Sequence, residues 1–444
     1  MAKEPGRDDS GADLKKQDRA PRGRAAGGPG VHGAPLLQSK PAVFFLAVLF
    51  VGYAVYAMDR TVLASVLKPM SAALGLTDLQ KGLLSSAQYV GVLAVVFVAG
   101  HLSDRYGTKR IIVGGVALFT AFTWLMAFAT DFYQAFAFRL VSGLGEGLFW
   151  PVAMAAVANY FGARKGFALG LFYTGFDVGQ ASGLAIGGGA YAITSDWRVA
   201  FLLAPVAGVG VIAGGFLAGA TLDAANSRGG RITLGRDALT LVRRMRVVLL
   251  MAFALLATWA AVWQLVFLPY YYSTVLGLST PTAAFISAAV AVSGGAGKVV
   301  LGFASDSWRR DRMLVVISAA AVVLYGVFFI VKETRASLIT ALAMGFFTAA
   351  VFPIVQSLMS DSCDGKTGTG LGLTTTAQSV ATVFAPTITA YLFYIGVGPA
   401  LALDAMIPAA LMLLVAPFIG DPRSERAAMR RSELTNPEWR PVTG

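Results

Sequence analysis

Residues 100–110, GHLSDRYGTKR, form a short polar segment between two apolar runs, and residues 302–310, GFASDSWRR, repeat its beginning 202 residues later. Each copy follows the second long apolar run of its part of the chain. Two similar segments at equivalent places are what a parallel duplication leaves behind. The sequence therefore predicts two similar halves, each with the same number of apolar runs.

The composition places these runs in a lipid bilayer. Of the 444 residues, 56 % are apolar and 14 % are charged, and the mean hydropathy is +0.66. A soluble domain carries about 25 % charged residues, so this chain cannot cover a water-facing surface. A spanning helix needs about 20 mostly apolar residues, and such runs predict an all-α membrane protein with twelve transmembrane helices in two six-helix pseudo-repeats. They lie at residues 42–67, 80–101, 110–130, 132–158, 166–191, 197–220, 247–273, 281–304, 313–331, 336–359, 369–394 and 397–419.

Composition also divides the chain into five parts. Residues 1–40 combine proline, glycine and charge without a cleavable signal peptide, and we expect a disordered cytoplasmic tail, with contact to anionic lipid as the alternative. Residues 221–246, rich in Arg, Gly and Asn, are the predicted cytoplasmic linker between six-helix halves at 41–220 and 247–420. Residues 421–444 are the predicted cytoplasmic C-terminal tail.

Lys and Arg indicate the orientation in the membrane, because basic residues collect in cytoplasmic loops. Of the 36 Lys and Arg residues, 28 fall in the tails and in the loops on their side, and five fall in the opposite loops. Both termini are therefore predicted to be cytoplasmic. The same loops explain the net charge of +12 without a nucleic-acid partner. One Cys and two His leave no plausible metal cluster, so we expect no metal and no other cofactor. The sequence has no nucleophile–base pattern of the kind an enzyme would need, so we do not expect an enzyme.

Three motifs resemble those of a known family. Gly100, Asp104, Arg105 and Gly107 match the major facilitator superfamily signature Gly-x-x-x-Asp-(Arg/Lys)-x-Gly-(Arg/Lys)-(Arg/Lys), although Thr108 stands where a base is usual. The stretches 139–151, RLVSGLGEGLFWP, and 56–60, YAMDR, make the chain similar to the anion:cation symporter branch, which includes bacterial sugar-acid/proton symporters and resembles sialin. The resemblance covers about residues 41–420. It implies the twelve-helix major facilitator fold and alternating access by a monomer in a bacterial inner membrane.

The resemblance also implies a conformational latch after the second helix. This latch would hold the two halves in the outward-open state, against residues 367–370 at the start of the eleventh helix, through Gly100, Asp104, Arg105, Gly107 and Arg110. Glycine at two of these positions suits a close helix approach and a tight turn. The alternative is that the bases of this loop only set the membrane orientation.

An ionisable side chain inside a span costs at least about 2.5–3.5 kcal/mol, so each one requires a partner or a function. Six such side chains stand out for inspection: Asp59, Arg60, Arg139, Glu146, Asp177 and Lys298. Helix geometry places Arg139 and Glu146 on one face. Matching depths predict an Asp59–Arg139 ion pair, with Arg60 directed to a cavity. Tyr53 and Tyr56 share the Arg60 stripe and are predicted to line that cavity, with an interfacial aromatic belt as the alternative.

These charges indicate how protons and an anion could be coupled. With Asp59 and Glu146 ionised, the two arginines are neutralised, whereas protonating both acids leaves two guanidiniums that attract a carboxylate. The resemblance assigns proton coupling to these two acids. Asp177 is a third candidate, with a structural partner on a neighbouring helix as the alternative. It lies within a glycine ladder at residues 175, 179, 183 and 187, which predicts a close-packing face. Lys298 is expected to extend its amine to the membrane interface.

The sequence therefore predicts a secondary transporter that carries a small organic anion, such as a sugar acid, inward with protons. The alternative is a proton-driven antiporter that exports amphiphilic drugs or lipids through a more apolar cavity. The substrate-binding side chains are expected to come from both halves: Arg60, Tyr53, Tyr56, Arg139, Gln180, Trp263, Gln264 and Gln378.

Overall fold

The computed structural model describes residues 40–161, 165–224, 239–363 and 367–422. The predicted N-terminal tail, most of the predicted linker and nearly all of the predicted C-terminal tail lie outside these ranges.

Twelve helices of membrane-spanning length fill the described ranges, which contain no β-strand. Ten are both long and apolar enough to cross a bilayer, and α2 makes eleven when its bent halves are taken as one span. The remaining helix, α5, is 30 residues long and carries several glycines, Asp177 and Gln180 within its apolar sequence. The twelve predicted spans are thus confirmed as helices. Their bounds are α1 Lys40–Leu74, α2 Asp78–Tyr106, α3 Thr108–Met126, α4 Phe132–Phe161, α5 Lys165–Thr194, α6 Trp197–Leu217, α7 Met245–Thr274, α8 Thr280–Ser307, α9 Arg310–Ile330, α10 Thr334–Ser362, α11 Thr367–Tyr391 and α12 Val397–Val415.

Local sequence explains where several helices begin and end. Thr77 and Gln80 form a capping box at the start of α2, with the Thr77 amide donating to Gln80 Oε1 over 2.9 Å and the Gln80 amide donating to Thr77 Oγ1 over 3.3 Å. Ser279 caps α8, and Asp196 caps α6. Gly107 separates α2 from α3 with a φ of 92°, a conformation that favours glycine. The expected tight turn at Gly107 is confirmed.

Helix pairing repeats between the first six helices and the last six. In the first half, α1 packs on α5, α2 on α4, and α3 on α6. In the second half, α7 packs on α11, α8 on α10, and α9 on α12. Each pair in one list has its counterpart six helices later in the other. The recurrence is what the repeated segments at 100–110 and 302–310 led us to expect.

The two halves meet through α5 with α8, α2 with α11, and α1 with α7. We call the end of the bundle that holds the turns at 106–108 and 307–310 the tail side, and the opposite end the far side. At the far side, the hydroxyl oxygens of Ser86 and Thr387 lie 2.8 Å apart, and Lys81 Nζ lies 3.0 Å from the Tyr270 hydroxyl. These contacts tie the first half to the second there.

Toward the tail side, the helices that join the halves border open space. A Cβ added to a glycine there would meet no atom within 4 Å at Gly100 of α2, Gly170 of α5, Gly302 of α8 or Gly372 of α11. For Gly100, the expected close helix approach is therefore absent in this conformation.

Glycine allows the closest helix contacts within the first half. A Cβ at Gly179 of α5 would lie 1.9 Å from the Ala54 carbonyl oxygen of α1, and one at Gly143 of α4 would lie 2.0 Å from the Gln88 carbonyl oxygen of α2. Such approach of backbone to backbone is typical of small-residue interfaces in membranes. It confirms the glycine ladder of α5 as a packing face and brings α1, α2 and α4 together around the charged residues.

Candidate transport site

Arg139 and Asp59 form an ion pair buried between α4 and α1. Arg139 Nη1 lies 3.2 Å from Asp59 Oδ1 and donates to the Asp59 carbonyl over 3.0 Å, and both side chains are 2 % exposed. Ser142 and Thr123 also donate to the Asp59 carboxylate, each over 2.5 Å. The predicted pair is confirmed, and its carboxylate is surrounded by donors, as a buried charge requires.

Gln88 of α2 connects this pair to Glu146. Its Nε2 donates to Asp59 Oδ2 over 2.8 Å and to Glu146 Oε1 over 2.6 Å, and its Oε1 accepts from Arg139 Nη2. Sequence reasoning missed this residue, because an uncharged amide in an apolar run stands out little. Its position halfway along the second predicted span was the available signal, since a buried amide needs partners. Gln88 makes the two acids and the inner arginine one network.

Arg60 occupies the outer position of the network. Its Nε lies 2.9 Å and its Nη2 2.8 Å from Glu146 Oε2. The guanidinium also lies over the rings of Tyr56, at 4.2 Å, and Tyr89, at 4.8 Å. Aromatic faces stabilise a cation without neutralising it. Glu146 is fully buried, whereas the Arg60 side chain is 10 % exposed, so Arg60 is the member of the pair that solvent reaches.

A cavity of about 200 Å³ lies between the halves and has Arg60 in its wall. The first half contributes helices α1, α2 and α5, and the second contributes α7, α8, α10 and α11. The apolar lining includes Phe176, Leu265 and Phe352. The polar and charged lining consists of Arg60, Tyr89, Asp177, Gln180, Thr258, Gln264, Ser287, Lys298, Thr348 and Thr382. The cavity is thus mixed in character. The first half contributes Arg60 and Asp177 to its wall, and the second half contributes Lys298.

Three of the eight predicted substrate-binding residues line this cavity, namely Arg60, Gln180 and Gln264. Gln264 donates to the hydroxyl of Tyr325 over 2.8 Å, which holds its amide in the wall. The lining comes from both halves, as expected.

The other five predicted residues do not line the cavity. Arg139 lies behind Gln88, as described above. Tyr53 stacks on Phe172 with ring centroids 4.5 Å apart, and Tyr56 lies beneath Arg60. Trp263 is fully buried against aromatic rings of α9, and Gln378 of α11 is half-buried outside the lining. None of these five side chains is part of the described cavity lining, and their role in substrate binding stays a prediction.

Asp177 and Lys298 form an ion pair across the two halves, with Nζ 2.5 Å from Oδ1. The expectation that Lys298 extends to the interface is therefore wrong. Its amine turns toward α5, where a carboxylate and the ring of Phe176, 5.5 Å away, stabilise it. A Cβ added to Gly295 would lie 3.2 Å from the Asp177 Cβ, which shows how closely the helices approach at this pair.

Asp404 of α12 is a buried acid that sequence reasoning did not single out. The indole nitrogen of Trp259 donates to its Oδ1 over 2.7 Å, while its Oδ2 has no hydrogen-bond partner among the described residues. It lies in the second half, away from the Gln88 network. A scan for acids inside every predicted span would have found it.

The residues of the predicted latch lie at the tail side. Asp104, Arg105 and Arg110 are exposed, and the Arg105 guanidinium lies 5.3 Å from the ring of Tyr106. The side chains of residues 367 and 368, toward which the latch was expected to close, lie outside the described part of the chain. The latch therefore stays a prediction.

Comparison with known proteins identifies the family. A sequence model of the Major Facilitator Superfamily matches residues 49–386 and, in a second match, residues 266–443. The fold agrees: the crystal structure of a bacterial homolog to the human lysosomal transporter Spinster, inward-facing and unoccupied, superposes with a TM-score of 0.68. That match covers 86 % of this chain and 95 % of the other, at 16 % identity.

Two curated relatives are transporters of organic acids by name. The 3-(3-hydroxy-phenyl)propionate transporter of Escherichia coli (strain K12) is 38 % identical over 119 residues, 27 % of this chain and 30 % of that protein. The hexuronate transporter of Bacillus subtilis (strain 168) is 25 % identical over 384 residues, 80 % of this chain and 88 % of that protein. For the first three curated relatives, the chain spans only 25–36 % of their length.

Proposed function

Because this chain belongs to the Major Facilitator Superfamily and is a membrane transporter, we propose that it carries a small organic anion together with protons, by alternating access. Uptake is the proposed direction, and a bacterial inner membrane with both termini in the cytoplasm is the proposed setting. The observation that carries the proposal is the Arg60–Glu146 ion pair at the cavity wall.

Protonation of Glu146 would free Arg60 for a ligand. The guanidinium now has a carboxylate as its partner, with two nitrogens within 2.9 Å of one oxygen. A neutral acid holds a guanidinium far less strongly than a carboxylate does, and a substrate carboxylate can bind the same fork in two places. A proton on Glu146 therefore favours anion binding, and a bound anion favours the proton by the same factor. This reciprocity is the physical basis of symport.

The Gln88 network supports coupling to the second acid. Gln88 donates to both Asp59 and Glu146, so a change in the charge of one acid alters the hydrogen bonding of the other. Asp59 also has Arg139 and two hydroxyl donors, whereas Glu146 has Arg60 and Gln88. We propose Glu146 as the principal proton-carrying acid and Asp59 as its partner, with Asp177 as a further acid on the cavity wall.

Organic acids are the substrate class that this cavity suits. A cation at one wall fits the carboxylate, the amides of Gln180 and Gln264 fit hydroxyl or carbonyl groups, and Phe176 and Leu265 fit a carbon skeleton. The named substrates of the two relatives, a hydroxyphenylpropionate and a hexuronate, both have a carboxylate.

Far-side contacts and glycines that border open space at the tail side fit one of the two states of alternating access.

The test is uptake by the purified protein in proteoliposomes. Labelled D-glucuronate and 3-(3-hydroxyphenyl)propionate should accumulate when a proton gradient is directed inward, and a protonophore should abolish accumulation. Glu146→Gln should retain counterflow exchange and lose accumulation, because the amide cannot carry the proton. Glu333→Gln, which removes an exposed carboxylate at the far side, is the matched control and should behave as wild type.

Two results would contradict the proposal. Unchanged accumulation by Glu146→Gln would assign the proton to another group. Gradient-driven extrusion of dyes or lipids without uptake of either acid would favour the antiporter.

A further inference from the structure

The Asp177–Lys298 pair is the charged contact that joins the two halves at the cavity. Asp177 belongs to α5 of the first half and Lys298 to α8 of the second. Their side chains are 13 % and 28 % exposed, and both line the same cavity as Arg60. The pair is therefore accessible to anything that enters the cavity.

Each half thus presents one cation to the cavity, and each cation has a carboxylate from the first half as its partner. Arg60 of α1 pairs with Glu146, and Lys298 of α8 pairs with Asp177. Among the described lining residues, these are the only Lys and Arg side chains. A ligand carboxylate in the cavity meets positive charge on both walls only if both carboxylate partners can be replaced.

The Lys298 pair is the more easily exchanged of the two. Glu146 is fully buried and also bound by Gln88, whereas Asp177 Oδ1 has Lys298 as its hydrogen-bond donor and a carboxylate partly open to the cavity. Asp177 thus has fewer described partners than Glu146, and the cavity gives a ligand direct access to both members of the pair. An incoming anion can therefore compete with Asp177 for Lys298.

We propose that the Lys298 ammonium is the second anion-binding group of the transport site, and that the substrate carboxylate replaces Asp177 as its partner. This inference rests on the proposed function, since it assigns a further ligand to the same substrate. Asp177 holds Lys298 in place while the cavity is empty. In the loaded site, the carboxylate lies between Arg60 and Lys298 and becomes the charged bridge between the halves.

A consequence for transport follows from the position of the pair. Because α5 and α8 pack together across the two halves, exchange at Lys298 replaces a protein contact with a contact through the substrate. The contact between the halves then depends on occupancy. A ligand can shift a conformational equilibrium only through different contacts in the two states, and this exchange supplies such a difference.

The test is equilibrium binding of labelled D-glucuronate and 3-(3-hydroxyphenyl)propionate to the full-length purified protein. Lys298→Gln should weaken binding by about 10-fold or more, the loss expected for one charge-assisted hydrogen bond. Asp177→Asn should tighten binding, because the competing carboxylate is gone. Lys332→Gln, which removes an exposed lysine at the far side, is the matched control and should bind as wild type.

The double variant Asp177→Asn/Lys298→Gln separates ligand binding from a structural role. Its two amides can bond to each other, so we expect wild-type thermal unfolding but the weak binding of Lys298→Gln. Binding restored to the wild-type level in the double variant, or equal losses in both single variants, would overturn the inference and leave the proposed function intact. Arg60→Gln is tested in parallel, because Arg60 is the other cation of the site. If the wild type binds neither acid, the proposed function and this inference are both wrong.

Discussion

Arg60 and Arg139 carry the same guanidinium group, yet their surroundings give them different tasks. Arg139 is 2 % exposed, and its donors bind Asp59 and Gln88. Arg60 borders the cavity and lies on two aromatic rings. A buried arginine whose two Nη groups are bound fixes the helices around it, whereas one at a cavity wall can exchange its partner for a ligand. Whether the guanidinium borders the cavity therefore separates the roles of these two arginines.

Replacing Gln88 tests the network at this scale. Gln88→Leu removes the donor shared by Asp59 and Glu146 and the acceptor for Arg139. Each buried polar group left without a partner costs about 1–3 kcal/mol, so we expect a clear fall in the thermal unfolding temperature in detergent. Gln134→Leu is the control: it removes one exposed acceptor, which the Thr130 amide reaches over 3.3 Å, and should lower the unfolding temperature far less. A wild-type unfolding temperature for Gln88→Leu would mean that the network contributes no stability.

Some residue contacts could be predicted from the sequence and others could not. The Asp59–Arg139 pair followed from helix rise alone, since both depths are set by the ends of their spans. The partners of Lys298 and Trp263 depend on which helix lies beside them. That depends on tertiary packing, which one sequence does not encode as a local pattern.

At the scale of the element, α5 combines several glycines with polar side chains inside a span. The glycines let it approach α1 closely, with Gly179 against the backbone of Ala54. The same helix presents Asp177 and Gln180 to the cavity. The glycine spacing predicted the packing face from sequence, because residues four apart share a side of a helix. Which helix α5 packs on was not predictable from spacing.

Substitutions in α5 test this packing. Gly179→Ala places a Cβ 1.9 Å from the Ala54 carbonyl oxygen, so the helices must separate. We expect overpacking to cost about 1–3 kcal/mol, measured as a lower unfolding temperature and as loss of uptake. Gly170→Ala in the same helix is the matched control, because its Cβ meets nothing within 4 Å. Alanine favours helix more than glycine does, so equal destabilisation of both variants would contradict the packing argument.

At the scale of the whole molecule, two similar halves meet at the far side and border open space at the tail side. The duplication was readable from the repeated segments, because sequence similarity survives at equivalent turns. The conformation was not readable, since two arrangements of the halves use the same helices and differ by only a few kcal/mol. The latch stays a prediction, because the side chains of residues 367 and 368 lie outside the described part of the chain.

A disulfide across the far side tests the arrangement of the halves. Ser86→Cys and Thr387→Cys, introduced with Cys363→Ser, place two thiols where hydroxyl oxygens lie 2.8 Å apart. We expect rapid cross-linking by a mild oxidant and loss of uptake that a reductant restores, because the far side must open in each cycle. Ser86→Cys alone should remain active under oxidant. Full uptake by the cross-linked protein would show that these helices need not separate.

The shared amide of Gln88 has one more consequence, at the level of single oxygen atoms. A guanidinium can only donate hydrogen bonds, so the Gln88 oxygen must face Arg139. The N–H groups of Gln88 then face Asp59 and Glu146. Oε1 of Glu146 is thereby already engaged as an acceptor. Oε2 accepts both contacts from Arg60, at 2.9 Å from Nε and 2.8 Å from Nη2. A hydrogen ion on this carboxylate would therefore weaken bonds that already exist, and of the two side chains that donate to it, Arg60 is the one that borders the cavity.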